Sequence, residues 1–146
     1  MEIVKVIQWD MGHRVMNHRS VCKGLHGHRY KAEISLKGDV VSEAGVSEEG
    51  MVVDFSDIKK ISHSEILNKL DHAFMVWDKD INLIDYMKSS DDHKIVIVPF
   101  TPTAENVAKY IFEILNGKFE DVYGTGLELS SVKLWETPTS YAIYSR

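Results

Sequence analysis

The stretch Cys22–Tyr30, C-K-G-L-H-G-H-R-Y, concentrates side chains able to do chemistry. His26 and His28 stand two residues apart, and the only cysteine, Cys22, lies four positions before them. Residues i and i+2 of a β-strand project to one face. The two imidazoles therefore sit side by side and can offer two nitrogens to one zinc ion, at about 2.0–2.1 Å. His13 shares the parity of Ile7, Trp9 and Met11 in an earlier apolar block, so a neighbouring strand can add a third imidazole. Three histidines and an open fourth position suit a catalytic zinc, because a structural site draws on more thiolates than one cysteine provides. The competing reading is a metal-free group of half-buried, hydrogen-bonded histidines. Cys22 reads in three ways: a fourth ligand, a buried apolar filler, or a nucleophile or base. Lys23 and a nearby cation would both favour its thiolate.

Three further clusters carry polar chemistry. Asp71 precedes His72 in L-D-H, just past a predicted helix. A carboxylate beside an imidazole can fix its tautomer, although neighbours in sequence rarely bond that way and an ordinary surface pair is the plainer reading. Glu136 falls in line with Val132 and Leu134 at the end of a strand. A carboxylate so placed needs a partner, either a cation or the paired N–H groups of a flat heterocycle. Thr101–Asn106, T-P-T-A-E-N, opens a helix with Thr101 or Thr103 as cap, and its free N–H groups can also meet a polar ligand.

The elements that must position these residues follow from periodicity. Ile3–His13 reads as a strand. From His26 to Lys37 the chain alternates cleanly: His26, His28, Tyr30, Ala32, Ile34 and Leu36 share one face, and charged residues hold most of the other. Residues 38–50 form a Gly- and Glu-rich connection, and Met51–Asp54 a short strand. A helix capped by Ser56 or Asp57 runs to about Leu70. I-N-L-I-D-Y-M-K reads as a short helix and Lys94–Val98 as a short strand. Ala104–Leu115 has helical spacing, with Asn116-Gly117 as its stop. Glu128–Glu136 and Tyr141–Tyr144 close the sheet. The expectation is an α+β domain over residues 1–146, with helices on one face of an antiparallel sheet.

Bulk properties narrow the function. A net charge of −5 without a Lys/Arg-rich run argues against a nucleic-acid binder. A single cysteine forms no internal disulfide, and no stretch has the length or apolarity of a signal peptide or membrane span. A soluble cytoplasmic domain is expected.

Taken in order, G-H-R (12–14), C-K-G-L-H-G-H-R-Y (22–30), G-M-V-V-D-F-S-D-I-K (50–59), L-D-H (70–72), P-T-A-E-N-V-A (102–108) and the strand ending in Glu136 resemble the family of 6-pyruvoyl-tetrahydropterin synthases and bacterial 6-carboxytetrahydropterin synthases. The resemblance implies a T-fold: a four-stranded antiparallel sheet with two helices on one face, ordered β-β-α-α-β-β, assembling as a homohexamer with active sites between subunits. It implies a zinc-dependent lyase acting on 7,8-dihydroneopterin triphosphate. The bacterial branch yields 6-carboxy-5,6,7,8-tetrahydropterin, acetaldehyde and triphosphate on the 7-deazaguanine route to queuosine; the alternatives are the pyruvoyl synthase and a non-catalytic pterin- or metal-binding oligomer. Carried onto this chain, His13, His26 and His28 hold zinc, Cys22 is the base, and Asp71 and His72 form a proton relay serving a neighbour's site. Glu136 anchors the pterin with help from Thr103 and Glu105. Residues 78–98 read as an insertion beside the relay.

Overall fold

Clean alternation makes long strands, and two of them carry the molecule. In the computed structural model, which describes residues 1–146, β1 (Glu2–His13) and β2 (His26–Gly38) pair antiparallel from Glu2 opposite Lys37 to His13 opposite His26. β2 then pairs antiparallel with β5 (Leu127–Thr137), and β5 with β6 (Ser140–Ser145). These are the four expected strands.

The sheet is larger than expected, and it is mixed. Two further strands extend it: β3 (Ala73–Trp77) pairs parallel with β1, and β4 (Ile95–Val98), the short strand expected at Lys94–Val98, pairs parallel with β3, giving the order β4-β3-β1-β2-β5-β6. The four-stranded, wholly antiparallel expectation is therefore corrected to six strands. β3 escapes sequence reading because A-F-M-V-W packs on both faces: Met75 joins the main core, and Val76 joins a second cluster with Leu83 and Met87. A strand covered on both sides shows no alternation. The segment 78–98 supplies α3 (Ile81–Lys88) and β4, and so completes a β-α-β unit.

β3 reaches β1 only at Met11, Gly12 and His13. The rest of that edge of β1 has no strand beside it, and neither has the outer edge of β6.

The helices follow from caps and buried stripes. The Asp54 side chain accepts from the Ser56 amide at 2.7 Å and so caps α1 (Phe55–Ser62), in place of the expected Ser56 or Asp57. The helix continues through a π-helical turn, His63–Leu67, into α2 (Asn68–Leu70). Met51–Asp54 pairs with no strand; its chain bends to reach the cap while Val52 and Val53 lean on the core. Thr103 caps α4 (Ala104–Tyr123), accepting from the Asn106 amide. α4 runs past the expected stop at Asn116-Gly117. Asn116 bonds Glu120 at 2.7 Å and Phe119 is buried, which together outweigh the roughly 1 kcal/mol cost of a helical glycine.

Val107, Ile111, Phe112, Leu115 and Phe119 of α4, Ile58 of α1, Ile66 of the π-helical turn and Leu70 of α2 pack on Trp9, Tyr30, Ile34, Leu36, Val132 and Leu134 of the sheet. Each such side chain stabilises the fold by about 1.5–3 kcal/mol when fully buried. α3 lies apart, on the opposite face, with Phe74, Val76 and Ile95. Two helical segments on one face is thus right for α1–α2 and α4, and α3 is the addition. No helix is long and apolar enough to cross a membrane.

Candidate metal centre and cleft

The register of β1 and β2 assembles the histidines. His13 pairs with His26, and His28 pairs with Met11 one step along, so all three imidazoles emerge on the core-facing side at one end of the sheet. Each offers a ring nitrogen, and these atoms lie within 4.8 Å of one another. Two of the rings are braced from behind. His13 Nδ1 bonds the Pro102 carbonyl at 2.6 Å, and His26 Nδ1 bonds the Gly24 carbonyl at 2.8 Å. A carbonyl only accepts, so each Nδ1 carries the proton and each Nε2 is left with its lone pair.

His13 is 1% exposed, and its Nε2 has no hydrogen-bond partner. A buried imidazole nitrogen with a free lone pair, beside two more, is a donor set that fits a divalent metal ion. The cluster His13–His26–His28 can therefore hold one. Burial is the main cause that lowers the pKa of His13, opposed by the Pro102 bond and reinforced by His26. Burial also lowers His28, against the opposing charge of Glu136. The neutral rings that result are the ligating form.

Glu136 faces this group because it continues the core-facing side of β5 after Val132 and Leu134, next along from the Lys31–Trp135 pair of β2 and β5. The register of β5 against β6 shifts just there, between Trp135 and Thr137. The Glu136 carboxylate lies 3.6 Å from His13 Nε2 and 3.9 Å from His28 Nε2. Its alignment with Val132 and Leu134 was readable from the strand; the closeness to the histidines depends on the register of β5 against β2 and was not.

Cys22 comes from the loop between the two strands. The loop is closed by the Val15 amide bonding the Cys22 carbonyl at 2.8 Å, and a 3-10 turn, Val21–Lys23, follows Ser20. Its root is fixed by Arg14, which donates to both oxygens of the buried Asp80 at 2.6 and 2.5 Å. A cleft of about 330 Å³ gathers Cys22, His13, His26, Thr103, Glu105 and Glu136. Six residues singled out from sequence thus meet in one place, from five parts of the chain: β1, the loop, β2, the start of α4 and β5.

Asp71 and His72 do not line that cleft. His72 borders a different hollow of about 440 Å³ with Asp10, Gly12, Gly27, Arg29 and His28, the one histidine of the cluster that does not line the Cys22 cleft. The two side chains approach all the same, with His72 Nδ1 3.1 Å from Asp71 Oδ1. His72 has φ of 59°, the one non-glycine residue in the left-handed region. Three contacts hold the corner: the His72 amide donates to the Asp10 carbonyl, the Asp10 amide donates to Asp71 Oδ1, and Lys94 Nζ donates to the carbonyls of Asn68 and Asp71. Desolvation would raise the pKa of Asp71, but the Asp10 amide, His72 and Lys94 outweigh it and hold the carboxyl below its usual range.

Sequence reasoning missed the carbonyls of Gly24 and Pro102, which carry no side-chain signal, and also His18 and Tyr141, which line the Cys22 cleft. The H-x-x-x-C spacing of His18 and Cys22 was the available signal.

Comparison with known proteins places the arrangement. The sequence pattern described as 6-pyruvoyl tetrahydropterin synthase matches residues 2–146. A 6-carboxy-5,6,7,8-tetrahydropterin synthase of Haemophilus influenzae is 36% identical over 146 residues, covering 98% of this chain and 97% of that protein. Among solved structures, an uncharacterized Wolinella succinogenes protein superposes with a TM-score of 0.77 at 24% identity, covering 100% of this chain and 98% of that one. A 6-pyruvoyl tetrahydropterin synthase of Caenorhabditis elegans gives a TM-score of 0.67 at 25% identity, covering 100% of this chain and 95% of that one. With its whole length matched, this chain belongs to the 6-pyruvoyl tetrahydropterin synthase family.

Proposed function

We propose that residues 1–146 form one catalytic unit, a zinc-dependent 6-carboxytetrahydropterin synthase. It takes 7,8-dihydroneopterin triphosphate to 6-carboxy-5,6,7,8-tetrahydropterin, acetaldehyde and triphosphate, on the route to 7-deazaguanines. The observation that carries this reading is the partnerless Nε2 of His13, buried beside two more imidazoles at a cleft that also holds Cys22 and Glu136. The name of the Haemophilus influenzae relative supports the carboxy product.

His13, His26 and His28 would hold zinc, which would supply Lewis acidity at the site. Around it the chain's own groups divide the work. Cys22 Sγ takes protons from the substrate side chain. His72, held by Asp71, delivers or receives a proton on the other side. Because this pair stands outside the Cys22 cleft, its imidazole serves the cleft of a neighbouring subunit within a homohexamer. Glu136 accepts the paired N–H groups of the pterin edge, with Thr103 and Glu105 lining the same wall.

The test is direct. Zinc-loaded protein is incubated with dihydroneopterin triphosphate, and the products are read by mass. Release of triphosphate and acetaldehyde supports the reading. A product that keeps its three-carbon side chain redirects it to the pyruvoyl synthase, the activity in the name of the Caenorhabditis elegans neighbour. Zinc at full occupancy with no turnover of any pterin leaves the non-catalytic pterin- or metal-binding oligomer.

A further inference from the structure

The hydroxyl of Tyr30 is a polar atom that neither the core nor the cleft accounts for. Tyr30 is completely buried, and its hydroxyl has no hydrogen-bond partner. The ring stacks on Trp9 with centroids 5.6 Å apart, and stands edge-on to His13 at 6.0 Å and to His28 at 5.7 Å. It therefore forms the floor beneath the histidine cluster. A phenol is an O–H donor at neutral pH, and the pairing of Lys31 with Trp135 makes Tyr30 and Glu136 the next residues along β2 and β5, on the core-facing side.

A hydroxyl left unpaired in a core costs stability. Phenylalanine would fill the same volume without that cost. In the free chain the Glu136 carboxylate leans toward His13 and His28, at 3.6 and 3.9 Å. Once those nitrogens are engaged by a metal ion and the carboxylate turns to a ligand, Tyr30 is the unpartnered hydroxyl beside it on the neighbouring strand. We propose that Tyr30 is a positioning residue whose O–H donates to Glu136 in the ligand-bound state and holds the carboxylate square to the ligand's paired N–H groups. This rests on the reading of Glu136 as the anchor of a flat heterocycle.

The test uses Tyr30→Phe in the full-length zinc-loaded protein, with neopterin as the probe. The expected result has three parts. Zinc content is unchanged, the Tm equals or exceeds that of the parent, and the neopterin Kd weakens about 10-fold, the value of one hydrogen bond to a charged acceptor. In a Glu136→Gln background, whose carboxamide is a weaker acceptor, the same change costs less than about threefold. A fall in Tm of more than about 4 °C overturns the proposal, since it shows that the hydroxyl already has a partner inside the core, such as Trp9 Nε1 through a buried water. An undiminished cost in the Glu136→Gln background overturns it as well, and so does parental neopterin affinity in Tyr30→Phe. A parent protein that binds no neopterin overturns the functional reading itself, which separates that failure from a failure of Tyr30 alone.

Discussion

The His13 corner and the His72 corner are built on opposite principles. At the first, imidazoles are buried on regular strands, and backbone carbonyls brace two of them from behind. Order there comes from the sheet, and the cost is the desolvation of a nitrogen without a partner. At the second, the imidazole is exposed and stands on a left-handed residue at the end of a helix. Order there comes from three contacts that pin a strained backbone. A metal ion wants ligands fixed before it arrives. A group that carries protons wants access to solvent or to a neighbouring subunit. The two corners divide along that line.

That contrast can be broken in four ways, taken from the largest effect to the smallest. Replacing a ligand should abolish the first corner outright. His13→Ala is expected to weaken zinc binding by well over the roughly 100-fold that loss of a supporting partner costs, so that purified protein carries almost no zinc by elemental analysis. Cys22→Ala should leave zinc content and neopterin binding intact while turnover falls about 10²- to 10⁴-fold. Full activity in that variant would exclude Cys22 as the base.

The third way acts on the other corner and has the opposite sign for stability. His72→Gly removes the imidazole and also relieves the left-handed strain, which costs of order 1–3 kcal/mol at a non-glycine residue. Turnover should fall at least about 10²-fold while the denaturation midpoint rises or stays level. A clear loss of stability would show that the side chain, and not the backbone contacts, holds the corner. The smallest effect is that of pH on metal-free protein. The folded values of His13 and His28 lie below the unfolded value of 6.5, so their contribution is present in full above pH 6.5. It is lost progressively as pH falls below that value, because the unfolded chain takes up protons first. A midpoint in urea that stays flat from pH 7.5 down to about 5.5 would contradict this burial.

Much of this could be read from residues alone, for identifiable reasons. β2 alternates because one face is wet, and that alternation put His26, His28 and Tyr30 on a common side. β3 could not be read, because both of its faces are covered and its five residues look like any buried run. Asp80 carries no signal in the sequence beyond its charge. Its burial against Arg14 is visible only once α3 has folded back over the sheet. The site residues were legible as types and spacings. The register that sets Glu136 beside the histidines and the positive φ at His72 were not, since both are backbone events that the side chains do not demand.

The incomplete cover of β1 by β3 has a consequence for how the chain behaves in solution. Backbone amides on the open edges of β1 and β6 have no carbonyl opposite them, so in an isolated chain they should swap their protons for deuterium quickly, even though the neighbouring ladders are rigid. If copies close edge to edge, those same amides become slow, and the rate becomes concentration-dependent. Peptides covering residues 2–9 and 140–145 would then report on self-association strand by strand, without any label and before any substrate is added.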